Sequence, residues 1–150
     1  MSRMIRWIGA FVAGLAVFCA SDFLWLGFVA RDFYASRLSG LLLDQPYFAP
    51  AIVFYLLYVG GLLVFCVNPA LETRSWRRAV ARATLFGLIA YATYDLSNLA
   101  TLKGWSFAVT LVDLVWGMVV SSVAALAAYA AAAATAAPTA HGSAHPPETP

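Results

Sequence analysis

The sequence predicts an all-α integral membrane protein, a bundle of four transmembrane helices whose N and C termini are cytoplasmic. Of its 150 residues, 63% are hydrophobic and 11% are charged, whereas soluble domains carry about 25% charged residues. Four apolar runs each come near or above the ~20 residues that span the hydrocarbon core. In lipid a helix satisfies its own backbone donors and acceptors, so helices are expected to form the spans.

The four spans are predicted over residues 4–29, 50–67, 78–102 and 107–131. Together they make a transmembrane domain over residues 1–134. The apolar stretch of the first run is too long for a typical signal-peptide core, so we expect it to be retained as a helix. Asn68-Pro69 is expected to close the second span. The short segment Lys103-Gly104-Trp105-Ser106 predicts a tight turn, which makes the third and fourth spans antiparallel neighbours.

Basic residues predict the orientation of these spans. One side would carry Arg3, Arg6, Arg74, Arg77, Arg78 and Arg82, and the other Arg31, Arg37 and Lys103. Because cytoplasmic loops carry an excess of Lys and Arg, the richer side is predicted to face the cytoplasm. The net charge of +2 is small and dispersed, which argues against nucleic acid as a partner.

Two segments lie outside the spans. Residues 30–49 alternate apolar and charged side chains, which predicts an amphipathic helix or a lid on the outer face. Residues 135–150 are rich in Pro, Ser, Thr and Gly and are expected to be disordered. This tail contains His141 and His145 without a further ligand, so no metal site and no cofactor is predicted.

Three acidic residues fall inside the predicted spans, and they are the main candidates for a functional site. Asp22, Asp95 and Asp113 each lie about six or seven residues from the outer end of their helix. At ~1.5 Å per residue this places all three in one layer, roughly 10 Å inside the outer boundary. Three carboxylates in one layer of low dielectric constant cannot all be ionised. A shared proton or a bound cation is therefore expected.

Other polar side chains are predicted at the same depth. Helical spacing places Tyr91 and Asn98 on the face of Asp95. The segments "DFLWLG" (22–27) and "DLVWG" (113–117) share an Asp, a Trp three residues later and then a Gly. The candidate residues for ligand binding or proton handling are Asp22, Trp25, Tyr55, Tyr58, Tyr91, Asp95, Asn98, Asp113 and Trp116.

Structural interpretations of these residues stay open. Trp25, Tyr34, Tyr58 and Trp105 can form the outer aromatic belt of a membrane protein, with Trp7 and Trp76 as the inner belt. The polar layer can also be a network that only joins the helices. Ionisable residues within a membrane are nevertheless functional candidates by default.

Small residues predict where the helices approach one another. Ala10 and Gly14, and Ala83 and Gly87, are each spaced four residues apart. Such pairs allow close contact between transmembrane helices.

Several stretches resemble a family of bacterial membrane proteins, domain-of-unknown-function family 2177. They are "DFLWLG" (22–27), "FYLLYVGGLLVF" (54–65), "YATYDLSNLATLKGW" (91–105) and "VDLVWG" (112–117). The resemblance covers roughly residues 5–125, with Ser97 at a position where the family more often has Thr. It implies a multi-pass protein of the bacterial inner membrane, and it implies no catalytic residues.

Three functions remain open from the sequence. The first is binding or transport of a small cationic or amphipathic ligand, or of a proton, through the carboxylate layer. The second is an intramembrane enzyme that modifies a lipid with paired carboxyl groups as acid and base. The third is a structural or assembly subunit. Membrane lipid and a second copy of the chain are the expected partners.

Overall fold

The computed structural model describes residues 3–43 and 45–135, and helices make up almost all of their regular structure. The helices are α1 (Arg3–Val29), α2 (Arg31–Arg37), α3 (Phe48–Glu72), α4 (Trp76–Thr101) and α5 (Phe107–Ala134). The predicted disordered tail lies outside the described residues except for Thr135. Both tail histidines are therefore outside the described part of the chain.

Three helices, α1, α3 and α5, are long and apolar enough to cross a membrane. The prediction of four such spans is therefore confirmed for three of them only. The helix α4 has the length of a span at 26 residues, but it contains Arg77, Arg78, Arg82 and Asp95. These charges, together with its hydroxyl and amide side chains, lower its mean hydropathy below that of the other three.

The second span is longer than predicted, because α3 continues through Asn68-Pro69 to Glu72. Pro69 lacks an N–H and normally interrupts a helix, but here it lies in the first turn of the terminal helical segment. A π-helical turn, Leu63–Val67, precedes that segment. The Phe65 carbonyl in this turn accepts a hydrogen bond from the Arg82 guanidinium at 3.1 Å. The helix is therefore widened before its proline rather than ended by it.

The helix α5 lies at the centre of the bundle and packs mainly against α4 and α1. A Cβ added at Gly87 of α4 would lie 2.1 Å from the carbonyl oxygen of Gly117, and one at Gly14 of α1 would lie 3.2 Å from the Ala128 Cβ. Ala10 and Ala83 are fully buried. The predicted close approach at small residues is confirmed.

The turn between α4 and α5 also follows the prediction. Gly104 has a φ of +82°, a left-handed conformation that glycine adopts without strain. Ser106 begins α5, since its hydroxyl accepts a hydrogen bond from the Val109 N–H. The short turn makes α4 and α5 antiparallel. Tyr34 of α2 bonds to Asp113 near the start of α5, so α2 and the turn lie at the same end of the bundle, which we call the α2 end.

Large apolar side chains cover the outside of the bundle. Examples on α1, α3, α4 and α5 are Val12, Phe23, Leu57, Ile89 and Val115, all more than half exposed. Contiguous exposed apolar surface of this extent is typical of a protein embedded in a membrane. The connection 30–49 forms α2, whose flanking Ala30 and Leu38 are buried, while Leu41, Leu42 and Leu43 beyond it are exposed.

Candidate functional site

The first carboxyl group at the α2 end belongs to Asp22, whose side chain is only 5% exposed. The Tyr55 hydroxyl donates to Asp22 Oδ2 at 2.9 Å. The Trp116 indole N–H donates to Asp22 Oδ1, also at 2.9 Å. We call these three residues, from α1, α3 and α5, the Asp22 cluster. Each carboxyl oxygen has one donor, which stabilises the ionised form of the group.

Helix direction explains how these residues meet. Gly14 of α1 faces Ala128 of α5, and Asp22, eight residues further along α1, bonds to Trp116. The contacts therefore run in opposite directions along the two helices, which are antiparallel. The shared spacing of Asp and Trp then places each tryptophan close to the level of the other helix's aspartate.

The second site is a pair of carboxyl groups, Asp95 of α4 and Asp113 of α5, which we call the Asp95–Asp113 pair. Asp95 is 0% exposed. No N–H or hydroxyl of the described residues donates to either of its oxygens. The Asp113 carboxyl group lies close enough to Asp95 for the two charges to repel each other. Two ionised carboxylates repel each other and have no hydrogen to share, so this contact is a hydrogen bond only if the pair holds a proton.

Tyr34 of α2 bonds to the Asp95–Asp113 pair. Its hydroxyl donates to Asp113 Oδ1, and it accepts a hydrogen bond from the Trp25 indole N–H at 3.1 Å. Burial, and then the hydrogen bond to Asp113, raise the pKa of Tyr34 above its ordinary value. The phenol therefore stays neutral and remains a donor to Asp113.

Stacked indole rings join the two carboxyl sites. The Trp25 and Trp116 rings lie 4.4 Å apart between centroids with an interplanar angle of 6°. Trp116 bonds to Asp22, while Trp25 bonds to Tyr34, which in turn bonds to Asp113. These contacts make one continuous polar and aromatic network across α1, α2, α3, α4 and α5.

Three predicted site residues lie beside this network without a hydrogen bond to its carboxyl groups. The Tyr58 hydroxyl bonds to Ser121 at 2.7 Å instead. The Asn98 amide lies near the Tyr94 hydroxyl group. The Tyr91 ring packs against the backbone of α5, where a Cβ at Gly117 would lie 2.4 Å from it. Sequence spacing predicted that these side chains would join the carboxyl groups but could not tell which neighbour each would meet.

Tyr34 is the residue of the network that the sequence did not assign to the site. Its position among charged residues near the predicted membrane boundary favoured the aromatic belt. A signal was nonetheless present, because Ala30, Tyr34 and Leu38 are spaced four residues apart and share one helix face. Ala30 and Leu38 are both buried. That face packs onto the bundle and carries Tyr34 inward.

Metal-binding geometry is not found within the described residues, where no group of three or more His, Cys, Asp or Glu side chains could hold an ion. Cys19 and Cys66 are both free thiols. The arrangement that is present can hold a proton between two carboxyl groups and can present one ionised carboxylate with two fixed donors.

Comparison with known proteins identifies the family. The family model described as "Predicted membrane protein (DUF2177)" matches residues 7–130. Searches of curated proteins and of solved structures give no match. All of the carboxyl, tyrosine and tryptophan side chains of the network lie inside the matched region. The chain belongs to this family of membrane proteins of unknown function.

Proposed function

We propose that this protein binds an exchangeable proton at the Asp95–Asp113 pair and uses it for binding or transport within the membrane. The single observation that carries the proposal is the environment of Asp95. This carboxyl group is fully buried, accepts no hydrogen bond from an N–H or hydroxyl group of the described residues, and has the Asp113 carboxyl group beside it. A buried carboxyl group without donors is far more stable protonated than ionised.

A proton fits this pair better than the small cation or the amphipathic ligand that the sequence also allows. A hard cation such as Ca²⁺ takes six to eight oxygen ligands. Here the Tyr34 hydroxyl points its hydrogen at Asp113, so that contact offers a donor and not a lone pair. Proton relays in membrane transporters are commonly built from buried acidic residues.

Infrared spectroscopy of the reconstituted protein tests whether the proton is present. We expect a C=O stretching band of a protonated carboxyl group at neutral pH, lost in Asp95→Asn and in Asp113→Asn. Asp32→Asn is the matched control, because Asp32 is an exposed aspartate on α2, and it should keep the band. Absence of the band in the wild-type protein at neutral pH would refute the proposal.

Proton movement is tested separately in proteoliposomes with an internal pH dye. A pH gradient is expected to decay faster with the wild-type protein than with Asp95→Asn, at equal protein density and with both proteins folded. Equal rates for the two proteins would exclude transport through this pair. The infrared band could still be present in that case, and it would then indicate proton binding without transport.

We also propose that α4 crosses the membrane with α1, α3 and α5, with both termini on the cytoplasmic side of the bacterial inner membrane. Exposed Leu85, Ile89 and Leu96 on α4 support this, because they give it an apolar outer surface like that of the other helices. Close packing of Gly87 on Gly117 also places α4 beside α5.

Cysteine labelling in intact cells tests this topology. In a background with Cys19→Ala and Cys66→Ala, a membrane-impermeant maleimide should label Ser39→Cys beyond α2. It should label Thr73→Cys between α3 and α4 only after the cells are opened. Labelling of both positions from outside, or of Thr73→Cys alone, would overturn the assignment.

A further inference from the structure

A groove opens on the side of the bundle next to the Asp22 cluster. Its lining is Cys19, Asp22, Phe23, Leu26, Gly27 and Tyr55, and its volume is about 450 Å³. Small-molecule sites typically range from about 300 to 1,000 Å³ and combine apolar walls with a few polar groups. This groove has that composition, since its walls are mainly apolar and its charged group is Asp22.

Asp22 gives the groove a carboxyl group with two fixed donors, and in its ionised form no Lys or Arg of the described residues neutralises its charge. Its hydrogen bonds come from Tyr55 and Trp116, which are both neutral donors. No Lys or Arg of the described residues interacts with it. Buried charges in proteins are normally paired, because an ionised carboxylate is poorly solvated in an apolar medium. A cation entering the groove would provide the missing partner.

We propose that this groove binds a lipophilic monovalent cation, with its charge at Asp22 and its apolar body along Phe23 and Leu26. The observation is independent of the Asp95–Asp113 pair, so either proposal can fail alone. One carboxylate fits one positive charge. The apolar walls favour an organic cation over a hydrated metal ion, and the Tyr55 and Phe23 rings can add cation–π attraction.

The glycine in the lining gives a way to fill the groove without changing its charge. A Cβ added at Gly27 would meet nothing within 4 Å. The Cβ of Gly27→Leu therefore has room, and we expect the rest of the leucine side chain to extend into the groove. Gly9 on the same helix has equally open surroundings and is not in the groove lining. Gly9→Leu is thus a matched control for the added side chain.

Asp22→Asn tests the charge with little change in shape. The amide oxygen of the introduced side chain can still accept from Trp116, and its NH₂ group can donate to Tyr55, because a tyrosine hydroxyl also accepts hydrogen bonds. The variant therefore keeps two hydrogen bonds and loses the negative charge.

Equilibrium dialysis of the protein in nanodiscs against tetraphenylphosphonium measures the binding, with empty nanodiscs as background. The wild-type protein should bind this cation above background and should not bind tetraphenylborate, which has the same shape and the opposite charge. We expect Asp22→Asn and Gly27→Leu each to weaken binding by about tenfold or more. Gly9→Leu and Asp95→Asn should bind as the wild type does.

Three results would overturn this proposal. They are no tetraphenylphosphonium binding above empty nanodiscs, equal binding of tetraphenylborate, and unchanged binding by folded Asp22→Asn. Where Asp22→Asn fails to fold, Gly27→Leu decides, since unchanged binding by that variant places the cation outside the groove. Loss of binding in Asp95→Asn as well as in Asp22→Asn would show one common site and would also overturn the proposal.

Discussion

Asp22 on α1 and Asp95 on α4 are both buried carboxyl groups at the α2 end of the bundle, yet their surroundings are opposite. Asp22 accepts one hydrogen bond at each oxygen, from Tyr55 and from Trp116. Asp95 accepts none from an N–H or hydroxyl group of the described residues and meets the Asp113 carboxyl group. The difference shows two ways in which a helix bundle can bury an acid.

Each environment suits one protonation state. Two fixed donors stabilise a negative charge on Asp22, whereas a neighbouring carboxyl group favours a proton on the Asp95–Asp113 pair. The two sites are therefore suited to different ligands, a cation at the first and a proton at the second. The stacked rings of Trp25 and Trp116 connect the two sites.

The largest loss of stability is expected from Gly87→Ala. This substitution should disrupt the Asp95–Asp113 pair and leave the Asp22 cluster intact. The added Cβ would lie 2.1 Å from the Gly117 carbonyl oxygen and 2.5 Å from Ser121 Oγ. The backbone of α5 is held by its own helical hydrogen bonds, so α4 must move away. We expect a loss of about 3 kcal/mol in the free energy of unfolding. Equilibrium unfolding in mixed micelles measures the loss.

Gly60→Ala is the control for this substitution, because a Cβ at Gly60 meets nothing within 4 Å. It should leave the free energy of unfolding unchanged or raise it slightly, since Ala favours helix over Gly. The displaced α4 of Gly87→Ala should also alter the protonated carboxyl band of the Asp95–Asp113 pair. A wild-type stability for Gly87→Ala would show that the helices do not pack as closely as described.

A smaller but substantial loss is expected from Asp22→Leu, which has a similar branched shape but no acceptors. Burying an unpaired donor costs about 1–3 kcal/mol, and both Tyr55 and Trp116 lose their acceptor. Removal of a buried charge offsets part of this, so we expect a loss of about 2 kcal/mol in the free energy of unfolding in mixed micelles. Tryptophan fluorescence should also change, because Trp116 loses its hydrogen bond.

The same substitution at Asp95 tests the difference between the two carboxyl groups. Asp95→Leu leaves no N–H or hydroxyl of the described residues without its acceptor, and Asp113 keeps the hydrogen bond from Tyr34. We expect the free energy of unfolding to fall by less than about 1 kcal/mol, or to rise. If Asp95→Leu proves as destabilising as Asp22→Leu, the proposed difference between the two carboxyl groups is wrong.

The smallest expected effect is a change in stability at alkaline pH that depends on Tyr34. Burial and the bond to Asp113 raise its pKa above the ordinary value of 10.0. As the pH rises past that value, the unfolded chain releases the Tyr34 proton before the folded protein does. The stabilising contribution is complete below the unfolded pKa and is lost as the pH rises through the folded pKa.

Wild-type protein should therefore lose stability more steeply than Tyr34→Phe above the ordinary tyrosine pKa, as measured by unfolding at neutral and alkaline pH. Tyr47→Phe is the control, because the Tyr47 ring is exposed, and it should keep the wild-type slope. Identical slopes for Tyr34→Phe and the wild type would show that the Tyr34 hydroxyl is not held in the network.

Hydrophobic patterning predicted the bounds of a helix well where local sequence alone sets them. The bounds of α5 and the tight turn at Gly104 follow from apolar length and turn chemistry. The end of α3 was missed because a proline usually ends a helix, and the π-helical turn before Pro69 depends on packing against α4. The apolar character of the third predicted span, residues 78–102, was overestimated because α4 contains charged and polar residues that lower its hydropathy.

The candidate site was predicted in part. Asp22, Asp95 and Asp113 were correctly grouped at one end of the bundle, because depth along a helix is simply residue number multiplied by a fixed rise. Their division into two sites was not predicted. Tyr58 and Asn98 were expected to join them. The Tyr58 hydroxyl instead bonds to Ser121, and the Asn98 amide lies near Tyr94.

The sequence by itself determined that the chain forms apolar helices, which of their residues are polar, and how far along its helix each polar residue lies. Only the tertiary structure decided that Trp116 would meet Asp22, that Asp95 would meet Asp113, and that Tyr34 would turn inward. Depth and helix face follow from the local geometry of one helix. The partner of a side chain depends on the rotation and crossing of two helices, which many distant contacts set together.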